Sequence, residues 1–182
     1  VAADAEPGAV DFVEDDITAS TQEPGSFDAI VSYEVLEHVG DPAAAFAAIA
    51  TLLRPGGITY HDYNPFFSVN GGHSMCTLAI PWGHARLDAA DFRRYLEELR
   101  PTEIDQAMRF YGESLNRMTL ADLRHVVEGA GLELLAVMPW FERKYTQEVT
   151  PAMLAEVRRN YPGVTIDDLL ATFVSVVARK PG

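Results

Sequence analysis

The chain has 182 residues, 48% hydrophobic and 23% charged, a balance that fits one domain with a real core and excludes a disordered chain. Its formal net charge of −13 would repel a phosphate backbone, and its densest basic pairs, Arg93–Arg94 and Arg158–Arg159, are interleaved with acids, so nucleic acid is a poor partner. A single cysteine, Cys76, excludes an intrachain disulfide framework and fits a reducing cytoplasm, while no apolar run reaches membrane-spanning length and no signal-peptide pattern opens the chain.

In chain order, "AVDFVEDDI" (9–17) predicts a short strand ending in acids. A Pro-Gly turn follows, then "FDAIVSY" (27–33), an apolar run of the kind buried on both faces of a sheet. "YEVLEHVGDP" (33–42) spaces Glu34, Glu37 and His38 at i, i+3 and i+4, which puts them on one face if a helix forms there. Asp41 can cap the next helix and Pro42 fits its first turn. The stripe Phe46, Ile49, Leu52, Leu53 carries that helix from Ala43 to Leu53. "RPGG" (54–57) then places glycine where a left-handed C-cap is needed, ahead of the strand "ITYHDY" (58–63).

Residues 64–91 have no clean period and are rich in Gly, Pro, aromatics and His, the mark of a functional or misassigned stretch. Helices are predicted at 89–100 and 118–131, the latter with Thr119 as N-cap, a stripe of Leu120, Leu123, Val126 and Val127, and a Gly stop. Residues 132–141 read as a strand, 150–160 and 165–171 as helices, and 172–180 as a final strand. The alternation argues an α/β fold with a mainly parallel sheet whose last two strands pair antiparallel.

The acidic strand end, the "FD" opening the next strand, "LEHVGDP" and "LLRPGG" before another strand together resemble class I S-adenosylmethionine-dependent methyltransferases. The resemblance covers 9–60 closely, and the pattern of 118–180 fits the same fold's C-terminal half. It implies a Rossmann-like sheet, S-adenosylmethionine as cofactor, and transfer of its methyl group to a small-molecule acceptor, most simply at oxygen. In such sheets ligands sit at the carboxyl ends of the strands. By resemblance, Asp16 accepts from the adenine amino group and the Ile17 backbone N–H bonds the ring, with Asp15 as the one-register alternative. Ser32 and Tyr33 would meet the cofactor's methionine part. The family's glycine-rich loop and its ribose-holding acid would lie before Val1, and "VAADAEPGAV" resembles the end of the helix preceding the third strand. Residues 1–182 are therefore expected to be the C-terminal portion of one methyltransferase domain, without its N-terminal strands, and with a substrate-lid insert at about 64–117.

Two resembling groups, the ubiquinone-pathway O-methyltransferases and the small-RNA 3′-terminal 2′-O-methyltransferases, share E-x-x-E-H at this strand end. The resemblance implies a divalent metal on Glu34, Glu37 and His38, with His84 of "WGHARLDAADF" in the place of the RNA enzymes' later histidine. Such ligands suit Mg, Mn or Zn, and a metal there could lower the pKa of an acceptor hydroxyl. Two other readings stand beside it: His38 as a pocket base with Glu37, or no chemical role, with Glu34 and Glu37 as first-turn acids. An Asp62–His61 pair could assist a base, His73 could contact a ligand, and a His73–Cys76 zinc half-site lacks a second cysteine. His125 is expected at a helix surface. Tyr63, Asn64, Phe66, Phe67, Trp82 and Tyr111 could line an acceptor pocket or pack a core. An RNA 2′-O-methyltransferase, opposed by the charge, and a non-catalytic partner-binding domain are the competing functions. The expected setting is cytoplasmic, with a small-molecule acceptor and a homodimer as partners and no membrane.

Overall fold

The computed structural model describes residues 10–182; the helix end expected in "VAADAEPGA" lies outside them. Strand β1 (Phe27–Tyr33) is followed by a single 3₁₀ turn (Leu36–His38), helix α1 (Pro42–Leu52) and strand β2 (Leu53–Tyr63). Helices α2 (His73–Cys76), α3 (Gly83–Arg86), α4 (Ala89–Leu99), α5 (Ile104–Glu113) and α6 (Leu120–Gly129) lead to β3 (Glu133–Phe141). Helices α7 (Arg143–Thr146), α8 (Pro151–Asn160) and α9 (Ile166–Leu170) precede β4 (Ala171–Arg179). The sheet order is β1-β2-β4-β3. β1 and β2 are parallel, and β4 runs antiparallel to both β2 and β3. Among the described residues β1, β2 and β3 share a direction and β4 runs against them, so the sheet is mixed, with the antiparallel last pair that the sequence predicted.

Capping residues set the helix starts as expected. The Asp41 carboxylate accepts from Ala44 N at 2.9 Å, and Thr119 forms a reciprocal capping box with Asp122 at the start of α6. Phe46, Ile49, Leu52 and Leu53 are all buried. Phe46, Ile49 and Leu53 pack with Leu123 and Val127 of α6 onto one face of the sheet, beside Tyr63, Val174, Val176 and Ala178.

A second core lies off the sheet. Phe66, Phe67, Trp82, Phe92, Leu96 and Tyr111 from residues 64–117 close on Val157 of α8, Val164 of the following turn and Leu169 of α9. The Trp82 indole donates to the Leu169 carbonyl at 3.0 Å and ties the two segments together. The stretch without a period is thus packed by short helices and turns, and its aromatics are core residues.

Two local expectations are corrected. Residues 10–16 form no strand, and Phe12 is 95% exposed. A strand needs a neighbouring backbone to pair with, and among the described residues nothing pairs with the outer edge of β1. Gly56 does adopt a left-handed φ of 79°, but not as a helix cap. Leu53 ends α1 in an extended conformation, and residues 54–57 bulge the start of β2, with Gly56 N bonded to the Lys180 carbonyl at 2.9 Å. The other sheet face exposes Val31, Tyr33, Met138 and Trp140 among the described residues.

Candidate active site

The chain turns sharply where β1 ends. Glu34 sits at φ 54° and its N–H donates to the Asp62 carbonyl at 2.8 Å. The expected helical face for Glu34, Glu37 and His38 does not form; only the 3₁₀ turn does. Asn116 explains this. Its amide donates to the carbonyls of Leu36 at 2.7 Å and Val39 at 3.0 Å, and its own N–H donates to the Glu37 carbonyl at 2.9 Å. The Leu36 carbonyl also accepts from Val39 N, which closes the 3₁₀ turn, and the Asn116 bonds hold the segment in it. Glu34 is left exposed, whereas Glu37 is 1% exposed.

Glu37, His38 and His73 converge, with one ligand atom of each lying within 4.8 Å of the others. His38 Nδ1 lies 2.6 Å from the Ser114 carbonyl oxygen. A carbonyl only accepts, so Nδ1 carries a proton, and in the neutral ring the lone pair is on Nε2. His73 enters from the first residue of α2 at φ 49°, with its ring 4.9 Å from that of His38 and Phe110 edge-on to both. Its Nε2 lies 4.0 Å from Glu37 Oε1, which also accepts from Asn64 N at 3.2 Å. Within the cluster, Glu37 Oε2 and His73 Nε2 are buried without a hydrogen-bond partner among the described residues, so it has room for one. Burial pushes the Glu37 carboxyl up from its ordinary value. Burial, and then the neighbouring His38, push His73 down.

His84 is not part of this group. It is 1% exposed in the second core, its Nε2 bonded to the Phe66 carbonyl at 2.8 Å, and burial lowers it to about 4. Glu34 is absent from the group for the reason already given. The Asp62–His61 pair does not form either, because adjacent strand residues point to opposite faces. His61 turns to Ser32 and Thr59, and Asp62 accepts from Ser175. Cys76 is buried, bonded to the Ala107 carbonyl, and pushed up by burial to about 11, outside any half-site with His73. His125 is exposed on α6. The signal that could have found His73 is the preceding Gly71-Gly72. A Cβ on Gly71 would sit 2.1 Å from the Phe66 carbonyl oxygen, and one on Gly72 would sit 2.7 Å from Cys76 backbone.

Beside the cluster, Asp16, Ile17, Thr18, His38, Val39 and Asp41 help line a cavity of about 470 Å³. The two candidate acids are distinguishable there. Asp15 spends both oxygens on Ser20 and Thr21. Asp16 binds Thr18 N and Oγ1 through Oδ1 alone, leaving Oδ2 without a partner among the described residues. Both acids line the cavity, and Asp16 is the one that keeps an oxygen without a hydrogen bond among the described residues. Ser32 lines an adjoining apolar cavity of about 220 Å³ with Ile17, Leu36 and Val39. Tyr33 points to the opposite sheet face and packs on Phe173 at 5.8 Å, which leaves only its backbone for a ligand at this strand end.

Residues 2–137 match the family model described as "Methyltransferase domain". The ubiquinone biosynthesis O-methyltransferase of Albidiferax ferrireducens is 34% identical over 108 residues, covering 58% of this chain and 38% of that protein. That of Ralstonia nicotianae is 52% identical over 50 residues, covering 27% of this chain and 21% of that protein. The chain spans less than half the length of these curated relatives. In fold, it is similar to the S-adenosylmethionine dependent methyltransferase of Mesorhizobium loti, with a TM-score of 0.51 at 18% identity over 90% of this chain and 66% of that one.

Proposed function

The chain belongs to the class I methyltransferase family, and from that premise we propose that it serves an S-adenosylmethionine-dependent O-methyltransferase acting on a small-molecule acceptor. Bound S-adenosylmethionine supplies a methyl group already activated on a sulfonium. The protein then has to hold an acceptor hydroxyl in line with that methyl and accept its proton. His38 suits the second task. Its Nδ1–H is fixed on the Ser114 carbonyl, so Nε2 takes the proton as the acceptor oxygen bonds to the methyl. S-adenosylhomocysteine would be the other product of that transfer. Glu37, next to this imidazole, offsets the charge it gains once ionised.

The observation that carries this reading is that His38 belongs to two places at once. It lines the cavity of Asp16 and Ile17, and it belongs to the Glu37–His73 cluster with its orphaned polar atoms. Were the same three side chains, rather than the four drawn from resemblance, to hold Mg, Mn or Zn, His38 Nε2 would be a ligand and not the proton acceptor, and the ion would lower the pKa of the acceptor hydroxyl in its place. Residues 64–117 contribute His73 and so act as the substrate cover. No helix among the described residues is long and apolar enough to cross a membrane.

The test is calorimetric titration of the full-length protein with S-adenosylhomocysteine. Saturable binding that weakens in Asp16→Ala is expected, and wild-type protein that does not bind would refute the reading.

A further inference from the structure

Ser32, His61 and Thr59 form a chain of hydrogen bonds across β1 and β2, on the sheet face beneath α1. Ser32 Oγ lies 2.7 Å from His61 Nδ1, and His61 Nε2 lies 2.6 Å from Thr59 Oγ1. Thr59 Oγ1 in turn lies 3.1 Å from the Ile30 carbonyl oxygen. The direction of every proton follows from the last contact. A carbonyl oxygen only accepts, so the Thr59 hydroxyl donates to Ile30. With its one proton committed, Thr59 Oγ1 can only accept from His61, so His61 Nε2 carries the imidazole proton. Nδ1 is then a bare lone pair, and the Ser32 hydroxyl must donate to it.

The surroundings keep this arrangement in one state. His61 is 3% exposed with Phe46 edge-on at 5.3 Å, and burial lowers its pKa to about 4, so the ring stays neutral near pH 7. Thr59 is 1% exposed. Among the described residues, no carboxylate is a hydrogen-bond partner of Ser32, His61 or Thr59. Ser32 and His61 are the two polar residues lining a cavity otherwise formed by Ile17, Leu36, Val39, Ile49 and other apolar side chains. Ser32 therefore offers that cavity lone pairs and no proton.

We propose that Thr59 and His61 are positioning residues that lock Ser32 as a hydrogen-bond acceptor for an N–H donor of the bound cofactor. The assignment rests on the cofactor reading above and adds to it a side-chain contact at the end of β1. It also predicts selectivity: a ligand group at this point must donate, and one that can only accept would face the Ser32 lone pairs.

Three variants of the full-length protein test it, with S-adenosylhomocysteine as the probe in calorimetry. Ser32→Ala removes the acceptor, and Thr59→Val removes the group that sets the direction of the chain. Each should weaken binding about tenfold, the effect of one lost hydrogen bond to a charged or strongly polar group. The double variant should be no weaker than either single one. Thr59→Ser restores the hydroxyl and should restore affinity, which a loss of packing alone would not predict. Nitrogen NMR of wild-type His61 should show an imine-type Nδ1 and a protonated Nε2, and the reverse tautomer in wild type overturns the proposal. Wild-type binding with Ser32→Ala and Thr59→Val at wild-type affinity overturns the positioning role alone. Failure of the wild type to bind removes the cofactor reading and this role with it.

Discussion

At the residue scale, two histidines of the aperiodic stretch exchange roles. His84 occupies the place that resemblance gives a metal ligand, yet its ring is spent on the Phe66 carbonyl inside a core. His73 supplies the third group of the cluster. His84→Leu should therefore cost about 1–3 kcal/mol of stability, from the stranded Phe66 carbonyl, and leave affinity for S-adenosylhomocysteine unchanged. Chemical denaturation and calorimetry on one preparation would separate the two effects. Glu37 and His38 were legible from their place just after a strand, whereas the helical spacing that joined them to Glu34 misled. The choice between His73 and His84 was not, because tertiary packing decides it: the Gly71-Gly72 turn and the left-handed φ of His73 carry one inward to Glu37, and α3 carries the other into the second core.

At the scale of elements, one buried carboxylate organises two helix starts. Asp168 Oδ1 accepts from Leu120 N at the start of α6, at 2.7 Å. Its Oδ2 accepts from Thr165 N at 2.7 Å and Thr165 Oγ1 at 2.6 Å at the start of α9. Asp168→Ala would strand three donors in a site 3% exposed, and a loss of about 2–4 kcal/mol is expected in urea denaturation. A change under half a kcal/mol would show that water replaces the carboxylate without cost. Helices with local caps, α1 and α6, were readable from sequence because cap and stripe lie within one turn of each other. The turn at 36–38 was not, since Asn116, far along the chain, takes the carbonyls of Leu36 and Val39. The strand expected at 9–17 failed for a related reason: alternation and β-propensity describe a side-chain pattern, whereas pairing requires an edge to dock on.

At the scale of the whole molecule, two buried neutral imidazoles link folding to pH. His61 and His84 both fall from 6.5 to about 4 on burial. Above pH 6.5 neither the folded nor the unfolded chain protonates them, and their burial carries no proton penalty. Between about 6.5 and 4 the unfolded chain binds protons that the folded one refuses, so stability falls as pH falls. Each ring contributes a slope of about 1.4 kcal/mol per pH unit once well inside that window. Urea midpoints at pH 7.5, 6 and 5 should decline in that order, with a shallower decline in His84→Leu. The two cores divide the work of the molecule. The sheet core holds β1 and β2, whose carboxyl ends carry Ser32, the Glu37 turn and His61, and the second core holds the segment that brings His73 to them.

The most direct measurement is methyl transfer by the full-length protein from radiolabelled S-adenosylmethionine to a panel of hydroxylated small molecules, comparing wild type with His38→Gln. Loss of the proton acceptor should lower turnover by roughly 10²–10⁴-fold while affinity for S-adenosylhomocysteine stays within about twofold of wild type. Turnover of His38→Gln equal to that of wild type, on any acceptor the wild type methylates, would contradict the account.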